Sequence, residues 1–107
     1  MPSASIKEIN PDEVKAKLNE FCFVDVRNPD EWSGNLGHIK DSIKIPLSEL
    51  GGRFSEIPKD RSLVMVCRSG ARSGRATEFL QEQGFNNVMN LRGGMMAWNA
   101  LGLPVVK

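Results

Sequence analysis

One segment in the middle of the chain constrains the fold more than any other. Residues 62–66 are continuously apolar after the first, the pattern of a central parallel strand that is covered on both faces. From Ser73 onward the apolar residues follow helical spacing, and Gly84 supplies the usual stop just past the last helical turn. A strand, a tight loop and a helix in this order indicate an α/β protein.

The rest of the chain repeats this alternation in short pieces. Asparagine followed by proline predicts two helix starts, at Asn10-Pro11 and Asn28-Pro29. Apolar runs and glycine or proline punctuation predict the remaining elements. These are strands at 21–26, 42–46 and 87–91 and helices at 47–54 and from 93 onward. We therefore expect an α/β fold with a central, mostly parallel sheet and helices on both faces.

Length and charge limit the classes of function. A chain of 107 residues fits one domain, expected to span residues 1–107. With 14 basic and 13 acidic side chains, the net charge of +1 predicts neither nucleic-acid nor membrane binding. Two cysteines are too few for a disulfide framework, and residues 1–10 lack the apolar run of a signal peptide. We expect a protein of a reducing compartment, the cytoplasm, although the sequence does not show whether a leader was removed.

A cysteine follows the predicted central strand, at the edge where open α/β sheets bind ligands. Cys67 precedes a loop that leads into a helix, so backbone N–H groups and the positive end of the helix dipole converge near its sulfur. Such surroundings can lower the pKa of a cysteine from about 8.5 to about 3.5–7.5. Cys67 is therefore the candidate nucleophile. The candidate anion-binding residues are Arg68, Ser69, Gly70, Ala71, Arg72 and Ser73.

The alternative interpretation is that Cys67 is a buried strand cysteine and that the loop arginines are solvated. The composition of the loop argues against it, because the seven residues after Cys67 include two arginines, two serines and two glycines. A purely structural loop does not need that density of anion-binding groups. We expect a catalytic site.

The loop resembles the active loop of rhodanese domains, which place a cysteine, a short anion-cradling turn and a helix in this order. Further motifs resemble the same family and follow its order: Asp25-Val26-Arg27, Glu31-Trp32 to Gly37-His38-Ile39, Ile45-Pro46, and Leu91 to Trp98 with Gly102-Leu103-Pro104. The match extends from about Ile6 to Val106, and the chain is identified as a single-domain member of the rhodanese, or thiosulfate sulfurtransferase, family. Lys40-Asp41-Ser42 departs from the family's usual Pro-Gly-Ala and leaves the conformation of that turn open.

The resemblance implies a rhodanese-like fold and sulfur transfer by double displacement. The Cys67 thiolate would take a sulfane sulfur from a donor such as thiosulfate, and a thiol or cyanide would remove it from the persulfide. One or both loop arginines would bind the anionic donor. No metal or organic cofactor is implied. A sulfur-accepting protein is an alternative acceptor, and the sequence does not specify the physiological donor, the pathway or the oligomeric state.

Three other residues have weaker expected roles. Asp25 and Arg27 end a strand at the sheet edge that carries the site, so they either hold the active loop or form an ion pair within the fold. His38 could pair with the cysteine, but its place in the family's Gly-His-Ile segment predicts a structural role in which the imidazole bonds backbone groups.

Two other functions compete with sulfur transfer. The first is a phosphatase or arsenate reductase of the same fold. A resemblance to those enzymes requires five residues between the cysteine and the arginine. Here only four residues separate Cys67 from Arg72, and a shorter loop makes a nest suited to one persulfide sulfur. The second is a non-catalytic rhodanese module for docking or regulation, which often lacks the cysteine.

Overall fold

A computed structural model describes residues 6–107 and contains one parallel sheet of five strands, in the order β1-β5-β4-β2-β3. The strands are β1 (Glu8–Ile9), β2 (Phe21–Asp25), β3 (Ile43–Lys44), β4 (Ser62–Val66) and β5 (Val88–Leu91). The helices are α1 (Pro11–Lys15), α2 (Pro29–Trp32), α3 (Leu47–Arg53), α4 (Ala71–Glu82) and α5 (Gly94–Ala100), with short 3₁₀ turns at Leu18–Glu20 and Phe54–Glu56. In this part of the chain, no helix has the length and apolar character needed to cross a membrane.

Side chains of the central strand alternate between two packed layers. On one face Leu63 and Met65 join a buried cluster with residues of α3 and α4, and Cys67 belongs to the same cluster. On the other face Val64 and Val66 pack with residues of α1 and α5. Helices therefore cover both faces of the sheet, and the predicted fold class is confirmed.

Both helix starts predicted from asparagine and proline are confirmed. The backbone N–H of Asn10 donates to the side chain of Glu13 over 3.0 Å, and Pro11 is the first helical residue. The backbone N–H of Asn28 donates to Glu31 over the same distance. Reciprocal capping of this kind satisfies backbone donors that a helix leaves unpaired at its start.

Some elements are shorter than predicted, such as β3, which has two residues instead of the predicted 42–46. Two further differences concern a missed strand and the start of a helix. The sequence analysis missed β1, which has only two residues and is held by parallel pairing with the end of β5. Helix α4 begins at Ala71, two residues earlier than predicted, because Gly70 adopts a φ of 106° and turns the chain directly into the helix. The loop after Cys67 therefore consists of only three residues, 68–70.

The turn that departs from the family pattern has an unusual backbone. Asp41 has a φ of 64°, in the left-handed region, and stands where the family usually has glycine. Aspartate tolerates this conformation better than most residues. Asp41 thus adopts a backbone conformation that glycine takes readily.

Candidate active site

Cys67 follows β4 directly and lies at the carboxyl edge of the sheet. The residue is almost fully buried, with 1% of its surface exposed. Its Sγ accepts the backbone N–H of Gly70 over 3.0 Å and lies 3.3 Å from the hydroxyl oxygen of Ser73, on the first turns of α4. The loop and the helix thus bring donors to the sulfur, as the sequence predicts.

These contacts have opposing effects on the Cys67 thiol. Burial raises its pKa, whereas the Ser73 hydroxyl and the backbone N–H groups of Ser73, Gly70 and Ser69 lower it. The donors together outweigh burial, and the pKa lies below the ordinary value of a thiol. The thiolate is therefore available at lower pH than for a free cysteine.

The start of α5 holds the backbone of the loop by two hydrogen bonds. The N–H of Met95 donates to the Cys67 carbonyl over 2.8 Å, and the N–H of Met96 donates to the Arg68 carbonyl over 3.0 Å. Gly94 makes this approach possible, because a Cβ on it would lie 2.5 Å from the Cys67 oxygen and 2.6 Å from the Arg68 oxygen. The sequence analysis assigned Gly93-Gly94 to a helix start and missed this contact with the site.

Asn90, on β5, connects the loop to α4. Its Nδ2 donates to the Gly70 carbonyl over 3.1 Å and to the Glu8 carboxylate over 3.0 Å, while its Oδ1 lies 2.5 Å from the Ser73 hydroxyl. The side chain is buried, with 2% exposure. The sequence analysis missed this residue as well. A polar side chain near the carboxyl end of an otherwise apolar strand was the available signal.

The two candidate arginines, Arg68 on the loop and Arg72 on α4, have different surroundings. Arg72 forms a bidentate pair with Glu31 of α2, over 2.7 and 2.9 Å. The hydrogen bond from Arg72 lowers the pKa of Glu31 to about 2, against the opposing effect of burial. Arg68 is exposed, and no ion pair of its guanidinium is found within residues 6–107. Arg68 and Glu31 line the same cleft, of about 220 Å³.

The side chains of the remaining predicted residues lie around this centre. Ser69 and Ala71 are exposed on the loop and at the first turn of α4. The Asp25 carboxylate and the Arg27 guanidinium form a buried pair over 2.7 Å. Arg27 also donates to the carbonyls of Glu31 and Gly37, so the pair fixes the segment that presents Glu31 to Arg72.

His38 is engaged elsewhere. Its Nδ1 lies 2.9 Å from the Trp32 carbonyl oxygen, and its backbone pairs with Val106. Among the described residues, the hydrogen bonds to the Cys67 sulfur come from Gly70 and Ser73. This arrangement agrees with the structural role expected for the imidazole.

Comparison with known proteins assigns the family. The sequence profile of the Rhodanese-like domain matches residues 10–101, most of the chain. The chain belongs to the rhodanese-like family. A sulfurtransferase from Allochromatium vinosum is 42% identical over 104 residues, which cover 94% of this chain and 95% of that protein. A putative sulfurtransferase from Bacillus subtilis, YtwF, is 38% identical over an alignment that covers 92% of this chain and 96% of that protein.

A solved structure agrees with this assignment. The crystal structure of a rhodanese-related protein from Thermoplasma volcanium superposes with a TM-score of 0.87 at 34% identity, covering 94% of this chain and 97% of that one. The rhodanese-like fold predicted from the sequence is therefore confirmed. The relatives named sulfurtransferases support sulfur transfer as the general activity of this rhodanese-like domain.

Proposed function

We propose that the protein is a thiosulfate-type sulfurtransferase that carries sulfane sulfur as a persulfide on Cys67. The observation that carries the proposal is the environment of one sulfur atom. Cys67 Sγ is buried, accepts the Gly70 N–H, lies beside the Ser73 hydroxyl, and has a pKa below the ordinary thiol value. A buried sulfur with fixed donors can hold negative charge without water.

The reaction consists of two displacements. In the first, the Cys67 thiolate attacks the outer sulfur of thiosulfate, the S–S bond of the donor breaks, and sulfite leaves with the bonding electrons. The new persulfide bears the negative charge on its outer sulfur. In the second, cyanide or a thiolate attacks that outer sulfur, forms thiocyanate or a new persulfide, and releases the Cys67 thiolate. Each step conserves charge and needs no external oxidant.

Binding of the donor requires positive charge at the mouth of the site. Arg68 follows the nucleophile and is exposed, so it can contact the doubly charged donor. Arg72 already pairs with Glu31, and the pair contributes little net charge. The backbone N–H groups of residues 69–73 complete the proposed binding site for the donor. Arg72 also shapes the opening of this site.

The size of the loop favours sulfur over phosphate. Three residues separate Cys67 from α4, and the Gly70 N–H points at the sulfur itself over 3.0 Å. A phosphatase loop must hold a tetrahedral oxyanion beyond the sulfur and uses its arginine for that purpose, whereas Arg72 here is held by Glu31. A docking module would need neither the donors nor the cysteine. We further propose a small-molecule thiol or a sulfur-accepting protein as acceptor, in the reducing cytoplasm.

Mass spectrometry of the protein after incubation with thiosulfate tests the proposal. We expect one additional sulfur on the peptide that contains Cys67, and its loss on addition of cyanide with formation of thiocyanate. Cys67→Ser should abolish both results, while Cys22→Ser, the matched control, should keep most of the turnover. A folded Cys22→Ser protein as inactive as Cys67→Ser would exclude the mechanism with one cysteine. Hydrolysis of aryl phosphates without any persulfide would favour the phosphatase alternative.

A further inference from the structure

The hydroxyl of Ser73 lies between two acceptors in the interior. Its Oγ is 3.3 Å from Cys67 Sγ and 2.5 Å from Asn90 Oδ1. Ser73, Cys67 and Asn90 each expose 2% of their surface or less, so bulk water does not replace a missing bond. A hydroxyl has a single proton and can donate to only one of these acceptors at a time.

The orientation of the Asn90 amide is fixed by its other contacts. Its Nδ2 donates to the Gly70 carbonyl and to the Glu8 carboxylate, over 3.1 and 3.0 Å. Rotation of the amide by 180° would turn its oxygen toward these two acceptors. Oδ1 therefore faces Ser73 and needs the Ser73 proton.

The two protonation states of Cys67 place different demands on that proton. When the sulfur is a thiol, its S–H can donate to Ser73 Oγ, and the Ser73 O–H donates to Asn90 Oδ1, so every group is satisfied. When the sulfur is a thiolate, the hydroxyl has to turn toward it. Asn90 Oδ1 is then left buried without a donor, which is costly.

We propose that Asn90 is a positioning residue that competes with Cys67 for the Ser73 proton and thereby opposes ionisation of the nucleophile. The inference deepens the proposed function and rests on it, because the thiolate is the form that this function requires. The site would then combine donors that favour the thiolate with one acceptor that limits how far ionisation goes.

Other charges near Cys67 also affect its ionisation and have to stay constant in a test. Arg68 and Arg72 lie on the loop and α4, and Arg72 interacts electrostatically with the sulfur. Behind Asn90, Arg92 of β5 pairs with the Glu8 carboxylate of β1 over 3.1 Å. On the α2 and β2 side lie Glu31 and Asp25, which interact with Arg72. Substituting Asn90 or Ser73 removes none of these charges, but an Asn90 variant also removes the hydrogen bond from Nδ2 to the Glu8 carboxylate.

The rate of alkylation by iodoacetamide as a function of pH measures the Cys67 pKa directly. All variants carry Cys22→Ser, so that only one thiol reacts. We expect Asn90→Leu to lower the apparent pKa by about 1 unit, because the competing acceptor is gone. Ser73→Ala should raise the apparent pKa, since the thiolate loses a donor. In the Ser73→Ala protein, Asn90→Leu should cause no further shift.

Controls separate this competition from general disturbance of the loop. Glu8→Gln removes the charge behind Asn90 and should leave the apparent pKa nearly unchanged. Asn90→Ala, a smaller side chain, provides a second variant in case leucine does not fit, and should shift the pKa in the same direction. An equal shift with and without the Ser73 hydroxyl, or a rise in pKa on removing Asn90, would overturn the inference. Alkylation does not depend on sulfur transfer, so a protein that shows these shifts but forms no persulfide would contradict only the proposed function.

Discussion

The two cysteines lie at opposite edges of the same sheet and differ in chemistry. Cys22 is half-buried near the start of β2, and burial raises its pKa despite the partly compensating charge of Arg61. Cys67 is more deeply buried at the carboxyl edge, yet its pKa is lowered. The difference arises from hydrogen-bond donors, which surround Cys67 and outweigh its burial. Burial alone therefore makes a thiol inert, and a fixed set of donors makes it reactive.

Cavity size does not identify the edge of the sheet that we propose to be reactive. Clefts of about 340 and 300 Å³ lie at the amino edge, and Cys22 lines the smaller of the two. The cleft beside Arg68 has only about 220 Å³. The proposed chemistry lies where hydrogen-bond donors converge on one sulfur, and this convergence requires loops that are held in place. We expect substitutions that disturb this support to act at the carboxyl edge and to have little effect at the other.

The largest effect is expected for Gly94→Ala. The new Cβ would lie within 2.6 Å of both loop carbonyls that α5 contacts, so the helix has to move away from Cys67 and Arg68. Displacement of reacting groups by about 1 Å can cost on the order of a hundredfold in rate. We therefore expect kcat/KM for thiosulfate:cyanide sulfur transfer to fall by about 100-fold, measured as thiocyanate formed by the folded protein.

Gly51→Ala is the matched control for that prediction. Gly51 lies in α3, and a Cβ on it would meet nothing within 4 Å. Because alanine favours helix, the control should be as active as the parent and at least as stable. Full activity of Gly94→Ala would show that α5 does not set the geometry of the loop.

A smaller effect is expected for the loop arginines. Arg68→Ala should reduce kcat/KM for thiosulfate by about 10- to 100-fold, the range for loss of a charge-assisted hydrogen bond, and should have less effect with a neutral organic trisulfide.

Arg72→Ala alone leaves the Glu31 carboxylate unpaired near an anionic donor and should also lower kcat/KM for thiosulfate. The double variant Glu31→Gln/Arg72→Ala removes both charges, and glutamine can still cap Asn28.

The double variant distinguishes direct from indirect action of Arg72. If Arg72 acts by neutralising Glu31, the double variant should use thiosulfate nearly as well as the parent. If the double variant is as impaired as Arg72→Ala, Arg72 contacts the donor directly. Steady-state kinetics at constant ionic strength decide between the two, because salt screens exposed charges.

The sequence predicted the elements that depend on local signals. Both capped helices, the apolar strand β4 and the position of Cys67 at its carboxyl end follow from neighbouring residues alone. What it missed depends on contacts between distant segments. Gly94 and Asn90 contact a loop 20 or more positions away, and Arg72 is held by a residue 41 positions earlier. A glycine at a helix start and an asparagine in a strand can each be explained by local structure. Their positions in the sequence therefore did not reveal that they contact the loop.

The smallest effect is expected at the amino edge, where Asp41 lines the cleft with Cys22. Asp41→Gly should stabilise the protein by about 0.5–1 kcal/mol. Glycine adopts the φ of 64° without strain, and this gain exceeds the cost of the additional backbone freedom that glycine loses on folding. Urea denaturation measures the change. Lys40→Gly, one position earlier and without a left-handed backbone, should instead destabilise the protein. Sulfur transfer should be unchanged in both variants, and a loss of activity in Asp41→Gly would mean that the two edges of the sheet are coupled.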